Sequence, residues 1–323
     1  MGIGAEDAER EKVSRVRAKT VLAEATPASS DRTMLSDETV ALVRVSVGRW
    51  AQSVRRDLPW RATRDPWAVL VSETMLQQTQ AARVVPKYES FLSRFPTVSA
   101  CAAAGVGEVV DAWAGLGYNR RAVFLHRLAV TVVERHGGQI PDDLDALLAL
   151  PGVGAYTARA VLVFAFERDV AVVDTNIGRV LARLCGQRLG LSTAQQFADR
   201  LVPPGGGWEW NQTMLDLGAL VCVAQSARCS QCPVRSVCQW QGRGADPARA
   251  SAGVSRGQSR FAGSDRQGRG RLVDALRRGP LDGDALAVAA GWPDDHQRAR
   301  RVAETLVTDG LACWVGDLLV LPG

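Results

Sequence analysis

One carboxyl group in this chain falls where burial would change its chemistry. Glu73, within VSETMLQQTQ, lies three and four residues after Leu70 and Val69, so a helix would place it on an apolar face. Burial disfavours the charged form of a carboxyl group and raises its pKa, and a general acid must be protonated near neutral pH. Glu73 is therefore a candidate proton donor, the alternative being a structural glutamate satisfied by neighbouring backbone.

Asp174 is a second candidate. It separates the extended segment AVV from the amphipathic segment TNIGRVLARL. Considered alone, it would be a helix N-cap, since aspartate caps well and Asn176 could share the role. It also follows the LPGVG segment by about twenty residues, so its carboxylate could point toward a ligand bound there.

The segment LPGVGAYTARAV, residues 150–161, has the composition of a phosphate-binding turn. Gly152 and Gly154 lead directly into a helical stretch, which leaves backbone N–H groups unpaired at a positive helix end. We interpret it as a helix–hairpin–helix turn that grips a DNA backbone, against the alternative of an ordinary corner between helices. It lacks the GK[ST] ending of a nucleotide P-loop, which argues against ATP.

Four cysteines, Cys222, Cys229, Cys232 and Cys238, are separated by six, two and five residues. The first residues are charged where a signal peptide is apolar, and no apolar run approaches the roughly 20 residues of a membrane span. In a reducing compartment, clustered cysteines bind metal more often than they form disulfides. Four thiolates without histidine suit tetrahedral zinc or a [4Fe–4S] cluster. The spacing leaves both open and favours iron–sulfur.

The charge of the chain also points to a phosphate-bearing partner. Lys and Arg number 39 against 34 acidic residues, for a net charge of +5. An arginine bias alone can reflect genome composition. The segment 221–271, however, holds nine arginines and two acids, and such a local basic surface favours nucleic acid.

The elements that must position these residues divide the chain into four parts. Residues 1–36 lack an apolar period and are predicted to be a disordered tail. Residues 37–240 are strongly helical by the spacing of their apolar positions. Residues 241–268, rich in Gly, Ser and Arg, are predicted to be a linker. Residues 269–323 predict three helices and a hairpin turning at Gly316–Asp317, a winged-helix-like α+β unit.

From about residue 45 to 240 the chain resembles the MutY adenine DNA glycosylases, helix–hairpin–helix enzymes related to endonuclease III. The resemblance runs in consistent order through LPWRATRDPWAVLVSETMLQQTQ, AWAGLGYNRRA, LPGVGAYTARAV, VDTNIGRVLAR, WNQTMLDLGALVC and the six–two–five cysteine spacing. It implies an all-α helix–hairpin–helix DNA glycosylase fold with an iron–sulfur loop at residues 222–238, ahead of the small C-terminal unit.

The resemblance also implies roles for individual residues. Glu73 matches the general acid that protonates adenine at N7, and Asp174 matches the aspartate that stabilises positive charge on the sugar. Tyr156 matches a tyrosine that supports the reacting centre. Asn176 matches an active-site asparagine, although the usual DGN reads DTN here. The four cysteines match ligands of a [4Fe–4S] cluster that shapes a basic loop.

The expected DNA contacts follow from the same motifs. Gln78 and Tyr118 match residues that wedge into the duplex beside the orphaned base. The other expected DNA-binding residues are Gln77, Thr79, Arg61, Leu150, Gly152, Gly154, Ala155, Arg228 and Arg235.

The predicted function is that of a monofunctional glycosylase. Relatives that cut the strand carry a lysine where this chain has Tyr156, and no lysine follows Lys87. The expected partner is double-stranded DNA with adenine opposite 8-oxoguanine or guanine, bound by a cytoplasmic, bacterial-type monomer that joins the nucleoid during repair and contacts no membrane.

Two other readings remain open. One is a mismatch thymine glycosylase on the same fold, and the other is a non-catalytic iron–sulfur regulator. The family's usual Nudix-like domain, which helps to recognise 8-oxoguanine, does not match the helical pattern of residues 269–323. Either this unit substitutes for it, or the wedge residues carry recognition, or lesion specificity is relaxed.

Overall fold

The computed structural model describes residues 35–251 and 260–323. The predicted tail, residues 1–36, lies outside the described residues except for its last two, and so do residues 252–259 of the predicted linker. None of the helices in the described ranges has the length and apolar character needed to cross a bilayer.

Helices form almost all the regular structure of the first range. They are α1 (Asp37–Ala51), α2 (Pro66–Leu76), α3 (Ala81–Arg94), α4 (Val98–Ala103), α5 (Val106–Ala112), α6 (Arg120–His136), α7 (Leu144–Leu148), α8 (Ala155–Phe164), α9 (Thr175–Leu184), α10 (Leu191–Leu201) and α11 (Gly207–Asp216). A π-helical turn, Leu217–Val221, continues α11, and short 3-10 turns lie at Pro59–Arg61, Cys229–Gln231 and Pro247–Ala250.

Helix α2 is the central helix of this bundle. Asp65 begins it by accepting hydrogen bonds from the backbone N–H groups of Trp67 at 3.2 Å and Ala68 at 3.3 Å, and Pro66 suits the first helical position. Its apolar residues are buried on most sides, and it packs against α3, α6 and α8. Such a helix carries the polar groups of its sequence into the core, and Glu73 is the ionisable one among them.

The predicted helix–hairpin–helix turn joins α7 to α8. Gly152 has a φ of +77°, and a Cβ there would lie 2.8 Å from the Cβ of Phe124 on α6. Only glycine meets both requirements, so the turn is held against α6. Gly154 then precedes α8 without a side-chain cap, which leaves the first N–H groups of α8 facing outward.

The last described range forms a C-terminal module. Helices α12 (Asp265–Leu276), α13 (Gly283–Ala290) and α14 (His296–Thr308) pack on one another and precede the antiparallel strands β1 (Cys313–Val315) and β2 (Leu318–Val320). The predicted hairpin turn at Gly316–Asp317 is confirmed, with Val315 paired to Leu318. Whether this module is a winged-helix domain in its own right stays a prediction.

The predicted linker is shorter than residues 241–268. Ser264 caps α12 by accepting from the backbone N–H of Gln267, so the helix begins four residues before the predicted start at 269. Residue 268, within that helix, is a glycine, because the ring of Trp292 leaves no room for a Cβ there. At the other end, Ala248 and Ser251 are buried, and the hydroxyl of Ser251 accepts a hydrogen bond from the backbone of Leu189.

The C-terminal module contacts the helical bundle at α5 and α6. The Arg277 guanidinium donates to the carbonyl of Val110 at 2.9 Å, and the N–H of Gly107 donates to the carbonyl of Pro322 at 2.9 Å. Arg120, at the start of α6, forms an ion pair with Asp309 at 3.4 Å. The module therefore sits beside the loop that precedes α6.

Candidate active site

A cleft of about 730 Å³ opens where α2, α8 and α9 converge. Its lining includes eight of the residues expected from the sequence to act in catalysis or to bind DNA. They are Arg61, Glu73, Gln77, Gln78, Thr79, Tyr156, Asp174 and Asn176. These residues come from segments that are far apart in the chain, and the fold brings them to one site.

Glu73 lies at the floor of the cleft, with only 5% of its surface exposed. Burial raises the pKa of its carboxyl group to about 7, with the nearby Asp174 charge adding to the rise and a hydrogen bond with Tyr156 opposing it. The Oε2 atom is buried and has no hydrogen-bond partner. A buried polar atom without a partner costs free energy, so Glu73 is suited to donate a proton to a group that enters the cleft.

Asp174 faces the same space from the start of α9. Its Oδ1 accepts from the backbone N–H of Ile177 at 2.7 Å, and its Oδ2 accepts from the Asn176 side chain at 2.9 Å. Asp174 is therefore the N-cap of α9, as its position in the sequence predicts. Burial raises the pKa of Asp174, while these hydrogen bonds and the charge of Arg179 favour its ionised form. Capping fixes the carboxylate in place without removing it from the cleft.

Tyr156 links the two sides of the site. Its hydroxyl is hydrogen-bonded to the Glu73 carboxyl, and burial followed by the charges of Glu73 and Asp174 raises the pKa of Tyr156 well above its ordinary value. The phenol therefore stays protonated and can only donate to a carboxylate. It orients Glu73 from one side and leaves Oε2 for another partner.

Two segments, one in the cleft lining and one in the loop beside it, have unusual backbone geometry. Gln78, just after α2, has a φ of +57°, and Tyr118, just before α6, has a φ of +46°. A left-handed conformation is uncommon for residues other than glycine and concentrates at functional sites. The Tyr118 side chain is 44% exposed, so it can reach a bound molecule.

The helix–hairpin–helix residues divide into exposed and buried positions. Gly152, Gly154 and Ala155 are exposed, as a turn that contacts phosphate requires. Leu150 is only 3% exposed, and its carbonyl accepts from the N–H of Val153 at 3.2 Å. The Leu150 side chain therefore packs in the core and anchors the turn, and a DNA contact at this residue stays a prediction.

Arg61 also lines the cleft. It is 7% exposed, and its two terminal nitrogens bind both carboxylate oxygens of Asp216 at 2.8 Å each. Burial alone would raise the pKa of Asp216, but hydrogen bonds and charge from Arg61 and Arg56 lower it. The guanidinium therefore forms a buried ion pair while its Nε has no partner, and its contact with DNA stays a prediction.

The cysteine loop lies on the far end of α9. The Cys222 sulfur is 3.4 Å from Nη1 of Arg183, and the Cys238 thiol donates to the Arg183 carbonyl at 3.2 Å. Burial raises the pKa of Cys232 to about 11, with smaller contributions from the charges of the other three thiols. The four thiols therefore lie close enough to influence one another, and four thiolates are the donor chemistry that an iron–sulfur cluster needs.

A metal site also requires that the donor side chains be grouped around one point. Within residues 35–251 and 260–323, no three His, Cys, Asp or Glu side chains are grouped so that they could hold one metal ion. Arg228 and Arg235, the arginines expected to face DNA from this loop, are both exposed.

Sequence analysis missed three arginines that organise the site. Arg179 donates to the Asn176 side chain at 2.8 Å and to the Cys222 carbonyl at 2.7 Å, which joins the cleft to the cysteine loop. Arg183, 2% exposed at the side chain, pairs with Asp246 at 2.7 Å. Their i,i+4 spacing in α9 was a signal for one shared face. Arg121, the third, had no such signal.

The known proteins that this chain resembles in sequence act in DNA base excision repair. Residues 71–201 match the HhH-GPD superfamily of base excision DNA repair proteins. An adenine DNA glycosylase of Mycolicibacterium smegmatis is 42% identical over 273 residues, which cover 83% of this chain and 92% of that protein.

Solved structures agree on the fold. A thermostable thymine-DNA glycosylase matches with a TM-score of 0.60 and 30% identity, over 64% of this chain and 98% of its own. A trapped endonuclease III–DNA intermediate matches with a TM-score of 0.58 and 24% identity, over 65% and 98%. The predicted all-α helix–hairpin–helix glycosylase fold is confirmed.

Proposed function

This chain belongs to the adenine DNA glycosylases of the HhH-GPD superfamily, and we propose that it excises adenine paired with 8-oxoguanine or guanine in double-stranded DNA. The reaction hydrolyses the N-glycosidic bond and leaves an abasic site. The observation that carries the proposal is the buried Glu73 carboxyl, whose Oε2 has no partner in the cleft.

Glu73 supplies the proton that makes adenine a leaving group. With its pKa near 7, the carboxyl is substantially protonated at neutral pH and transfers this proton to N7 of the bound base. The bond between the sugar C1′ and N9 then breaks, its electron pair goes to the base, and neutral adenine departs. General acid catalysis of this kind contributes about 10²- to 10⁴-fold to a rate.

Asp174 stabilises what remains on the sugar. Loss of the base leaves an oxocarbenium-like centre with positive charge at C1′, and an ionised carboxylate held by Ile177 and Asn176 lies ready to balance it. Water then adds to C1′, and its proton returns to the carboxylate pair. One protonated and one ionised carboxyl group is the pairing that glycoside hydrolysis uses.

The cleft requires the base to leave the helical stack. Extrusion of a base costs a few kcal/mol, and side chains that enter the vacated space offset part of this cost. Gln78 in the cleft lining and Tyr118 in the neighbouring loop, both with left-handed backbone conformations, are proposed to do so. Gln77 and Thr79 then face base edges, while the exposed turn at Gly152–Ala155 and the loop arginines Arg228 and Arg235 contact phosphates.

Tyr156 makes the enzyme monofunctional. Strand cutting by this fold needs an amine that forms a Schiff base with C1′, and a phenol cannot form one. The chain has no lysine beyond Lys87. Borohydride treatment during turnover is therefore expected to trap no covalent protein–DNA adduct, and a trapped adduct would show that another amine attacks the sugar.

The four cysteines are proposed to hold a [4Fe–4S] cluster. Cys222, Cys229, Cys232 and Cys238 supply four thiolates from one loop, and Arg183 lies against two of them. When bound, the cluster fixes the loop and thereby the arginines on its surface. A brown protein with broad absorption near 400 nm and about four irons per chain is expected on aerobic or anaerobic purification.

Four labelled duplexes test the proposed function. They place adenine opposite 8-oxoguanine, guanine or thymine, and thymine opposite guanine, and each is analysed with and without alkali. Cuts at adenine opposite 8-oxoguanine and guanine that appear only after alkali support it. Equal cutting of adenine opposite thymine would show that the enzyme does not recognise the mispair.

A second candidate is excision of thymine opposite guanine. One observation favours it, namely the match of this fold to a thymine-DNA glycosylase along nearly all of that protein's length. Cuts confined to the thymine–guanine duplex would replace the proposal with this one. Binding of all four duplexes without cuts in any of them would instead indicate a non-catalytic DNA-binding protein.

A further inference from the structure

Arg121, in the first turn of α6, is a buried cation that forms seven hydrogen bonds. Only 9% of the residue is exposed. Burial lowers the pKa of Arg121 to about 10, so the guanidinium is still charged at neutral pH. All seven acceptors are oxygens of backbone carbonyls or of one hydroxyl group, and hydrogen bonds from a charged donor are the stronger kind.

The Nη1 atom of Arg121 caps the end of α2. It donates to the carbonyls of Thr74 at 2.9 Å, Met75 at 2.8 Å and Gln77 at 2.6 Å. The last carbonyls of a helix lack partners within it and carry partial negative charge. A guanidinium placed there fixes the point at which the chain leaves α2 and turns into Gln78.

The other nitrogens of Arg121 hold the loop before α6. Nη2 donates to the carbonyls of Leu116 at 3.4 Å and Gly117 at 3.0 Å, and Nε donates to the carbonyl of Tyr118 at 3.3 Å. Nη2 also donates to the hydroxyl of Thr79, in the segment that follows α2, at 3.0 Å. The guanidinium carbon lies 5.6 Å from the centre of the Tyr118 ring, within cation–π range.

These two segments carry Gln78 and Tyr118, which have left-handed backbone conformations. A non-glycine residue with φ near +50° is strained and persists only where its surroundings hold it. Around Gln78, Arg121 binds the Gln77 carbonyl and the Thr79 hydroxyl, and at Tyr118 it binds the carbonyls of Gly117 and of Tyr118 itself. One side chain therefore holds both strained turns.

We propose that Arg121 is a positioning residue that fixes the Gln78 turn and the Tyr118 loop as one rigid wedge, so that both side chains enter the duplex together. The proposal rests on the proposed function, since it assigns Arg121 to the base-extrusion step of that reaction. A planar fork of five donors can serve two segments at once, whereas the single ammonium of lysine can serve only one of them well.

The test compares Arg121→Met and Arg121→Lys with wild type on two DNA substrates. One is a duplex with adenine opposite 8-oxoguanine. The other places adenine opposite an abasic-site analogue, so adenine has no base pair to break when it leaves the helix. Arg121→Met is expected to lower the single-turnover rate by about 10- to 100-fold on the first substrate, because the two relaxed turns would have to return to their strained conformation for the wedge to enter, and by less than about 3-fold on the second. Arg121→Lys should fall between wild type and Arg121→Met.

Arg135→Met is the matched control. Arg135 lies on the same helix but is exposed in its last turn, so this variant removes the same charge without touching the wedge. It should behave as wild type on both substrates. Equal losses for Arg121→Met on both substrates would overturn the proposal, because they would place the defect in the chemical site or in folding instead of extrusion.

A chemistry-free readout separates this inference from the proposed function. A 2-aminopurine placed beside the mispair brightens when wedging unstacks it, whether or not any base is excised. Brightening with wild type but not with Arg121→Met supports the wedge even if wild type excises no adenine. Equal brightening with both proteins overturns it, whatever the glycosylase assay shows.

Discussion

Two buried carboxyl groups, one in the lining of the cleft and one paired with an arginine of that lining, have opposite surroundings. Glu73 and Asp216 are 5% and 2% exposed. Asp216 meets two arginines, Arg56 and Arg61, and its pKa falls. Glu73 meets a tyrosine and a second acid, keeps one oxygen without a partner, and its pKa rises to about 7.

The difference shows what burial is used for in each place. A buried ion pair in which both carboxylate oxygens are bound, such as that of Asp216, is costly to break and holds α11 to the segment before α2. An acid such as Glu73, which is desolvated and incompletely hydrogen-bonded, lowers the stability of the fold. Its raised pKa means that it holds a proton near neutral pH and can transfer it. Asp216 thus fixes the wall of the cleft, and Glu73 carries its chemistry.

The sharpest way to break this comparison is Glu73→Gln. The amide has the same shape and no acidic proton, so we expect the single-turnover rate of adenine excision to fall by at least about 10²- to 10⁴-fold while DNA binding is retained. Rates are measured on the adenine–8-oxoguanine duplex, and affinity by fluorescence anisotropy. Cleavage near the wild-type rate would remove Glu73 from the chemical step.

Asp216→Asn should do the reverse. Neutralising one partner leaves the Arg61 charge buried without compensation, which costs about 3–5 kcal/mol of unfolding free energy, and excision per folded molecule should change little. Urea unfolding measures the first quantity and active-site titration the second.

An exposed ion pair supplies the control for Asp216→Asn. Glu209 pairs with Arg55 on the surface, where the side chains are 65% and 48% exposed, so Glu209→Gln should cost less than about 1 kcal/mol. If the two variants lost equal stability, burial would not be what distinguishes the Asp216 pair.

The contrast should also appear as a pH dependence of stability. Because the pKa of folded Glu73 lies above its ordinary value of 4.5, its contribution to stability is fully present below pH 4.5 and is lost as pH rises toward 7. Relative to Glu73→Gln, which cannot titrate, wild type should lose about 2–3 kcal/mol of unfolding free energy between pH 5 and pH 8. A constant difference between the two proteins across this range would mean that Glu73 titrates normally.

The sequence predicts one half of this comparison better than the other. Glu73 can be identified because a charge on the apolar face of a helix is rare enough to need a reason. Asp174 and the cysteines are marked by turn and spacing patterns that are local in the chain. The helices and the C-terminal hairpin also follow from local periodicity and turn residues, and those predictions are confirmed.

Arginines are where sequence reasoning fails. Arg120 and Arg121 are adjacent and alike in sequence, yet Arg120 is an exposed partner of Asp309 and Arg121 holds two loops from the core. Arg61 was expected to contact DNA, although its partner is Asp216, 155 residues away. Which guanidinium meets phosphate and which meets a buried oxygen depends on long-range packing, and no local pattern encodes that.

The smallest expected effect tests how finely the Glu73 site is adjusted. The hydrogen bond with Tyr156 lowers the pKa of Glu73 against the larger rise that burial causes. Tyr156→Phe removes that bond, so the pKa of Glu73 should rise further and the carboxyl should stay protonated to higher pH. The alkaline limb of the excision rate is therefore expected to move to higher pH, with a change of less than about 10-fold at neutral pH.

Tyr88→Phe is the control, because Tyr88 is buried against Trp60 instead of at the cleft. A limb that moved to lower pH in Tyr156→Phe would mean that the phenol stabilises the protonated form of Glu73, and the two carboxyl sites would then differ less than their surroundings indicate.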